Sequence, residues 1–157
     1  MKKINFNFRY NHKIGIFILS SVFFLYLLYL SIPSLYDKGR VQKVFNDKFL
    51  MDFNLNISLS TDISYRILPQ PHFLIRDAKL FYNKSKLPYE IGQIKELKIF
   101  ISKKNFFTRK NFEILKVEFN KSNFFLMKND FVFFEKYLNE KFSEKELIIK
   151  KSKFFFK

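Results

Sequence analysis

The chain contains no cysteine, no tryptophan, a single alanine (Ala78), three glycines and four prolines. Without cysteine there are no disulfides, no thiolate metal sites and no cysteine nucleophile, while reducing and oxidising compartments both stay open. The two histidines, His12 and His72, are too few for a histidine-based metal or catalytic cluster, and no GxSxG, GxxxxGK[ST] or HExxH pattern occurs. His72 stands between prolines and an apolar run, where a surface or internally satisfied imidazole is the expected role. Glu144 and Glu146 flank Lys145 and read as a solvated turn rather than a carboxylate dyad. The expectation is a protein that is not an enzyme and carries no cofactor and no metal.

What is abundant is phenylalanine, with 24 residues beside 8 tyrosines, so a modest chain can still bury a large apolar area. Acids are scarce: 14 stand against 29 lysines and arginines, a net charge of +15, and only Arg9, Arg40, Arg66, Arg76 and Arg109 are arginine. The lysine, asparagine, isoleucine and phenylalanine bias resembles AT-rich coding, which weakens the charge as a sign of a nucleic-acid partner.

Ile14 to Tyr36 reads IGIFILSSVFFLYLLYLSIPSLY, 23 residues without a charge, preceded by Lys2, Lys3, Arg9 and Lys13 and no acid. A helix rises about 1.5 Å per residue, so roughly 20 apolar residues cross a hydrocarbon layer of about 30 Å. Ile14, Phe17, Leu19, Phe23, Phe24, Leu27, Leu30 and Tyr36 form the expected membrane anchor, and Pro33 closes it. The run is longer than the apolar core of a cleaved signal, and no small-x-small site follows. Lys38, Arg40, Lys43 and Lys48 balance the cations before the span, but Asp37, Asp47 and Asp52 dilute that flank. This favours a cytoplasmic amino terminus and an exported remainder. The organisation expected is therefore a basic tail over 1–13, a transmembrane anchor over 14–36 and one β-rich domain over 37–157.

Beyond the anchor, Val41, Val44, Phe45 and Phe49 recur at intervals of three and four, predicting a short helix over Asp37–Leu50 with Asp37 as its N-cap. Phe53, Leu55, Ile57 and Leu59 then alternate with polar residues and predict a strand, continued by Ile63, Tyr65 and Ile67 until Pro69 and Pro71 interrupt pairing. A further strand from His72 carries Phe73, Ile75, Ala78, Leu80 and Tyr82, with a slip of one residue between Ile75 and Ala78 that a bulge would accommodate. Phe112, Ile114, Val117 and Phe119 repeat that spacing, and Ile94, Leu97, Ile99 and Ile101 repeat it in part. Consecutive antiparallel strands that bend at a similar point would curve their sheet.

Residues 83–90 and 102–111 read as connections. Phe131, Phe134, Tyr137, Leu138 and Phe142 predict a second amphipathic helix over Asp130–Phe142, capped by Asn129 or Asp130, before Leu147, Ile149, Phe154 and Phe156 return to strand. In SKKNFFTRKNF, residues 102–112, cations interleave with Phe106, Phe107 and Phe112. Behind an anchor, that pattern fits lipid head groups or acidic polysaccharide better than nucleic acid.

An anchor followed directly by a short helix and a strand, the phrase ISYRILPQPHFLIRDAKL over residues 63–80, and the paired runs IGQIKELKIFI and FEILKVEFNKSNFFL together resemble the start of the AsmA family of bacterial inner-membrane-anchored proteins. Pro69, Pro71 and Asp77 carry the distinctive part of that resemblance. The family is usually longer, so a chain stopping at Lys157 also fits the first portion of a longer protein, or its truncated remnant. The resemblance implies an α+β fold, with the transmembrane helix followed by a curved antiparallel sheet and two short amphipathic helices. It also implies a periplasmic role in phospholipid handling or outer-membrane assembly, with the bilayer, phospholipid acyl chains and other envelope proteins as partners. Phe73, Ile75, Leu80, Ile99, Ile101, Phe112, Ile114, Val117 and Phe119 would then line an apolar groove or pack as ordinary core. A second functional expectation is an anchored module that binds another envelope protein by strand addition, without lipid.

Overall fold

The computed structural model describes residues 8–53, 56–82, 89–104, 106–107, 113–127 and 146–156. The fold is α+β. A long apolar helix, α1 (Phe8–Ser31), passes through a 3-10 turn (Ile32–Leu35) into α2 (Lys38–Phe53), and among the described residues seven strands of one sheet follow. These are β1 (Asn56–Ser58), β2 (Ile63–Arg66), β3 (His72–Tyr82), β4 (Tyr89–Ile101), β5 (Ile114–Leu126), β6 (Glu146–Lys150) and β7 (Lys153–Phe156).

Asp37 caps α2 as its sequence position predicts, its Oδ1 accepting the Arg40 amide at 2.8 Å. Val41, Phe45 and Phe49 are buried on one face of that helix, and the Phe45 ring meets Phe73 of β3 edge-on at 5.3 Å. α2 runs on to Phe53, where the alternation predicted a strand, and β1 is only three residues long. Phe53 stands four residues after Phe49 and two before Leu55, so it satisfies both periods, and the helix already under way continues.

The sheet is mostly antiparallel, curved and not closed. β3, β4 and β5 form its centre, with β1 and β2 sharing the outer edge of β3. β6 and β7 share the other edge, and both run parallel to β5 rather than continuing the antiparallel series expected from the sequence. A parallel partner requires the chain to return to the end where β5 began. The helix predicted over Asp130–Phe142 falls on that return and lies outside the described residues, as do the predicted caps Asn129 and Asp130, most of the connection over 83–90, and Phe112.

Curvature has a local origin. Asp77 (φ 56°), Lys121 (φ 54°) and Lys151 (φ 50°) are left-handed non-glycine residues, an uncommon backbone state for L-residues. The registers place them in one row: Arg76 to Ala78 lies across from Glu96 to Ile94, those from Asn120 to Ser122, and Lys150 to Lys153 follows beside β5 at the same offset. Along this row the inward residues slip by one on each of the three central strands, from Ile75 to Ala78, from Leu97 to Ile94 and from Phe119 to Ser122. Because neighbours slip together, the β3–β4 and β4–β5 registers pass through it unshifted. The bulge expected between Ile75 and Ala78 exists only towards the edge, where the four residues 59–62 face three, 76–78.

The spacing repeat therefore marks two different things. In β5, the interval from Ile114 to Val117 belongs to a separate irregularity in which Leu115 is extra opposite Phe100 and Ile101. The true counterpart of the Ile75–Ala78 step is Phe119–Ser122. It is hidden from a hydrophobic pattern because Ser122 is polar, although buried.

Candidate functional site: the anchor exit and the sheet end it meets

One end of the sheet gathers the end of β2, the turn through residues 67–71, the start of β3, the end of β4 and the loop that follows it. Pro71 O accepts the Ile101 amide at 3.1 Å, which ties the turn to the β4 end. Pro69 and Pro71 occupy this turn as the sequence predicts, with a cis Leu68–Pro69 bond, and Asp77 lies six residues along β3 in the row of left-handed residues.

Onto this end fits the exit of α1. Tyr29 donates its hydroxyl to Lys103 O at 2.5 Å, and its ring stacks on Phe106 at 5.3 Å and tilts against Phe107 at 5.5 Å. Tyr36 donates to Phe106 O, and Tyr65 of β2 donates to Leu30 O at 2.7 Å. Burial, with Tyr36 adding to it, pushes the Tyr65 phenol well above its ordinary range, so the hydroxyl remains a neutral donor. Lys103 Nζ reaches the Tyr26 hydroxyl at 3.2 Å, a further turn back along the helix. The anchor residues consequently divide. Ile14, Phe17, Leu19, Phe23, Phe24 and Leu27 are exposed, whereas Leu30 is buried and Tyr36 half-buried against the domain.

The helix is long and apolar enough to cross a membrane over His12–Leu35, and only 6% of an 18-residue apolar stretch within it is buried in the molecule. Within His12–Leu35, Leu30 and Pro33 are buried, while the residues from Val22 to Leu28 are exposed, an apolar surface of the kind that marks an interaction site.

The inward residues named from the sequence lie together. Phe73, Ile75, Leu80, Ile99, Ile101, Ile114, Val117 and Phe119 are all buried in one cluster with Val41, Phe45 and Phe49 of α2. Phe112 lies outside the described residues. On the outer face His72 is buried, its ring stacked on Phe100 at 5.0 Å with Nδ1 2.7 Å from Gln70 O. That assigns the Nδ1–H tautomer and a satisfied histidine, and burial holds its pKa below 6.5. Glu118 is buried beside it, bridged by Lys150 at 3.1 Å and Lys98 at 3.8 Å. Among the described residues, no three His, Asp or Glu side chains gather as a metal site. A pocket of about 330 Å³ opens beside the left-handed row between Asp77, Lys79, Gln93, Lys95 and Asn123.

Sequence reading identified the anchor and the aromatic–basic loop separately and missed their contact. Tyr29 and Lys103 are 74 positions apart, and no local period links them. The available signal was the pairing of tyrosines late in the span with an FF doublet in a loop. No family model, curated protein or solved structure matches this chain.

Proposed function

We propose that this chain is a single-pass membrane protein that serves phospholipid handling or outer-membrane assembly, with a cytoplasmic amino terminus and a periplasmic β domain, as its AsmA resemblance implies. The role is binding and not catalysis, without cofactor or nucleic acid. One observation carries the reading: the apolar surface of α1 is exposed over most of its described length, while its exit is bonded to β2 and to the loop after β4 through Tyr65, Tyr29 and Tyr36. An anchor wired in this way keeps the domain at the bilayer surface, where lipid is the substrate within reach.

The test is phospholipid exchange. Full-length protein, stripped of lipid in detergent and reconstituted, is expected to transfer fluorescent phospholipid between vesicles faster than protein-free controls. It is also expected to retain phospholipid in native mass spectrometry. Failure of both removes the lipid role.

A second reading has its own support. β7 is exposed along its length, with Phe154, Phe155 and Phe156 on an edge that no further described strand covers. Such an edge suits strand addition by another envelope protein. A photo-crosslinker at Phe155 that captures a protein in membranes, in a chain that exchanges no lipid, would select this alternative.

A further inference from the structure

Three exposed apolar side chains surround the anchor exit, each from a different element. Leu35 in the 3-10 turn is 84% exposed, Leu68 in the turn between β2 and β3 is 79% exposed, and Phe107 after β4 is 76% exposed. Such residues on separate, tight turns gain nothing from the core, and their shared feature is position at the sheet end that meets α1.

Depth turns that position into a constraint. The stretch able to cross a membrane extends to Leu35, and Phe107 packs on Tyr29 while Lys103 reaches Tyr26, both inside it. Tyr29 lies roughly 6 Å before Pro33 at about 1.5 Å per helical residue. Starting the apolar layer at Ile14, directly after Lys13, about 20 residues are needed to cross it, which carries the layer to Pro33. The loop after β4 therefore lies alongside a part of α1 that is still within the membrane. Its chemistry suits that depth: an exposed aromatic ring enters the interfacial layer, the Tyr26 hydroxyl holds the Lys103 ammonium, and exposed Lys104 has an apolar stem long enough to carry its charge out to phosphate.

We propose that this sheet end is a membrane-inserted rim, with Phe107, Leu68 and Leu35 entering the phospholipid leaflet from which α1 emerges and Lys104 meeting its phosphates. The rim gives the domain a second hold on the bilayer and fixes its tilt, which one helix alone leaves free to vary. This inference rests on the reading of α1 as a membrane anchor.

The absence of native cysteine makes the test direct. Leu68→Cys and Phe107→Cys, both at exposed positions and the second giving up only the ring contact with Tyr29, are coupled to an environment-sensitive fluorophore. Each full-length protein is reconstituted in phosphatidylethanolamine–phosphatidylglycerol vesicles carrying nitroxide lipids. Leu25→Cys, exposed in the middle of the uncharged run 14–36, reports on the anchor, and Lys95→Cys, exposed on the outer face of β4, reports on water. The rim predicts depths of roughly 5 to 10 Å below the head-group boundary at positions 68 and 107, the range of interfacially bound apolar side chains. Position 25 should be deeper and position 95 unquenched. Deep quenching at 25 with 68 and 107 as aqueous as 95 overturns the rim and leaves the anchor standing. An aqueous label at 25 overturns the anchor, and the rim with it.

Discussion

α1 and α2 are consecutive helices of one chain, both rich in large apolar residues, and they meet opposite fates. In α1 the apolar residues occur all round, and Phe17, Phe23 and Phe24 are exposed. In α2 they recur at three and four, and Phe45 is fully buried against the sheet. Apolarity with a helical period calls for a protein partner on one side, whereas apolarity without a period calls for an apolar surrounding on all sides. The same division separates the whole anchor from the whole β domain, so unfolding of the domain and retention in the membrane should respond to different residues.

The largest expected contrast is between two phenylalanines. Phe45→Ala is expected to lower domain stability by about 3 to 5 kcal/mol, the usual cost of emptying a buried phenylalanine site. Phe23→Ala should leave the denaturant midpoint where it was, since that ring touches no core. Near-equal shifts in reconstituted full-length protein would break the comparison. Next comes charge: Leu25→Arg is expected to cost roughly 2.5 to 3.5 kcal/mol of insertion at a helix centre. It should release a fraction of the protein from membranes while the domain unfolds at an unchanged midpoint.

A smaller effect belongs to the bend. Asp77 is left-handed, so Asp77→Val should cost the domain about 1 to 2 kcal/mol through Cβ crowding, and Asp77→Gly should cost none of it. Membrane retention should be the same in both variants.

Acid provides the smallest effect. Burial holds His72 below its ordinary 6.5, so the unfolded chain takes up that proton first, and domain stability should begin to fall as pH drops through 6.5. A hydrogen bond from Lys79 holds Glu90, and one from Lys121 holds Glu96, below the ordinary 4.5, which extends the loss below that pH. His72→Gln should remove the upper part of the decline. From Ile14 to Leu35 there is neither acid nor histidine, so membrane retention should not vary over this range.

Much of this division is legible in the amino-acid sequence. The uncharged run, the Asp37 cap, the stripe Val41, Phe45 and Phe49, and the break at Pro69 and Pro71 each depend on neighbours within a few positions, and each is found in the structure. What stayed hidden depends on distant partners or competing local rules. Phe53 fits a helix and a strand equally, and the helix already under way runs through it. The Phe119–Ser122 step was masked by a buried serine, and the parallel course of β6 and β7 is a matter of topology with no local signature. At the sheet end, SKKNFFTRKNF was recognisable as an unusual mixture of rings and cations. The contacts of Lys103, Phe106 and Phe107 with Tyr26, Tyr29 and Tyr36 assign the described part of it to the exit of α1.

The central claim is that α1 resides in lipid and carries the β domain with it. Alkaline extraction of cell membranes, followed by immunodetection of the unprocessed full-length chain, tests it most directly. The account predicts that the intact chain stays in the membrane pellet at high pH and leaves it only with detergent. Recovery of the same intact chain in the soluble fraction would contradict it.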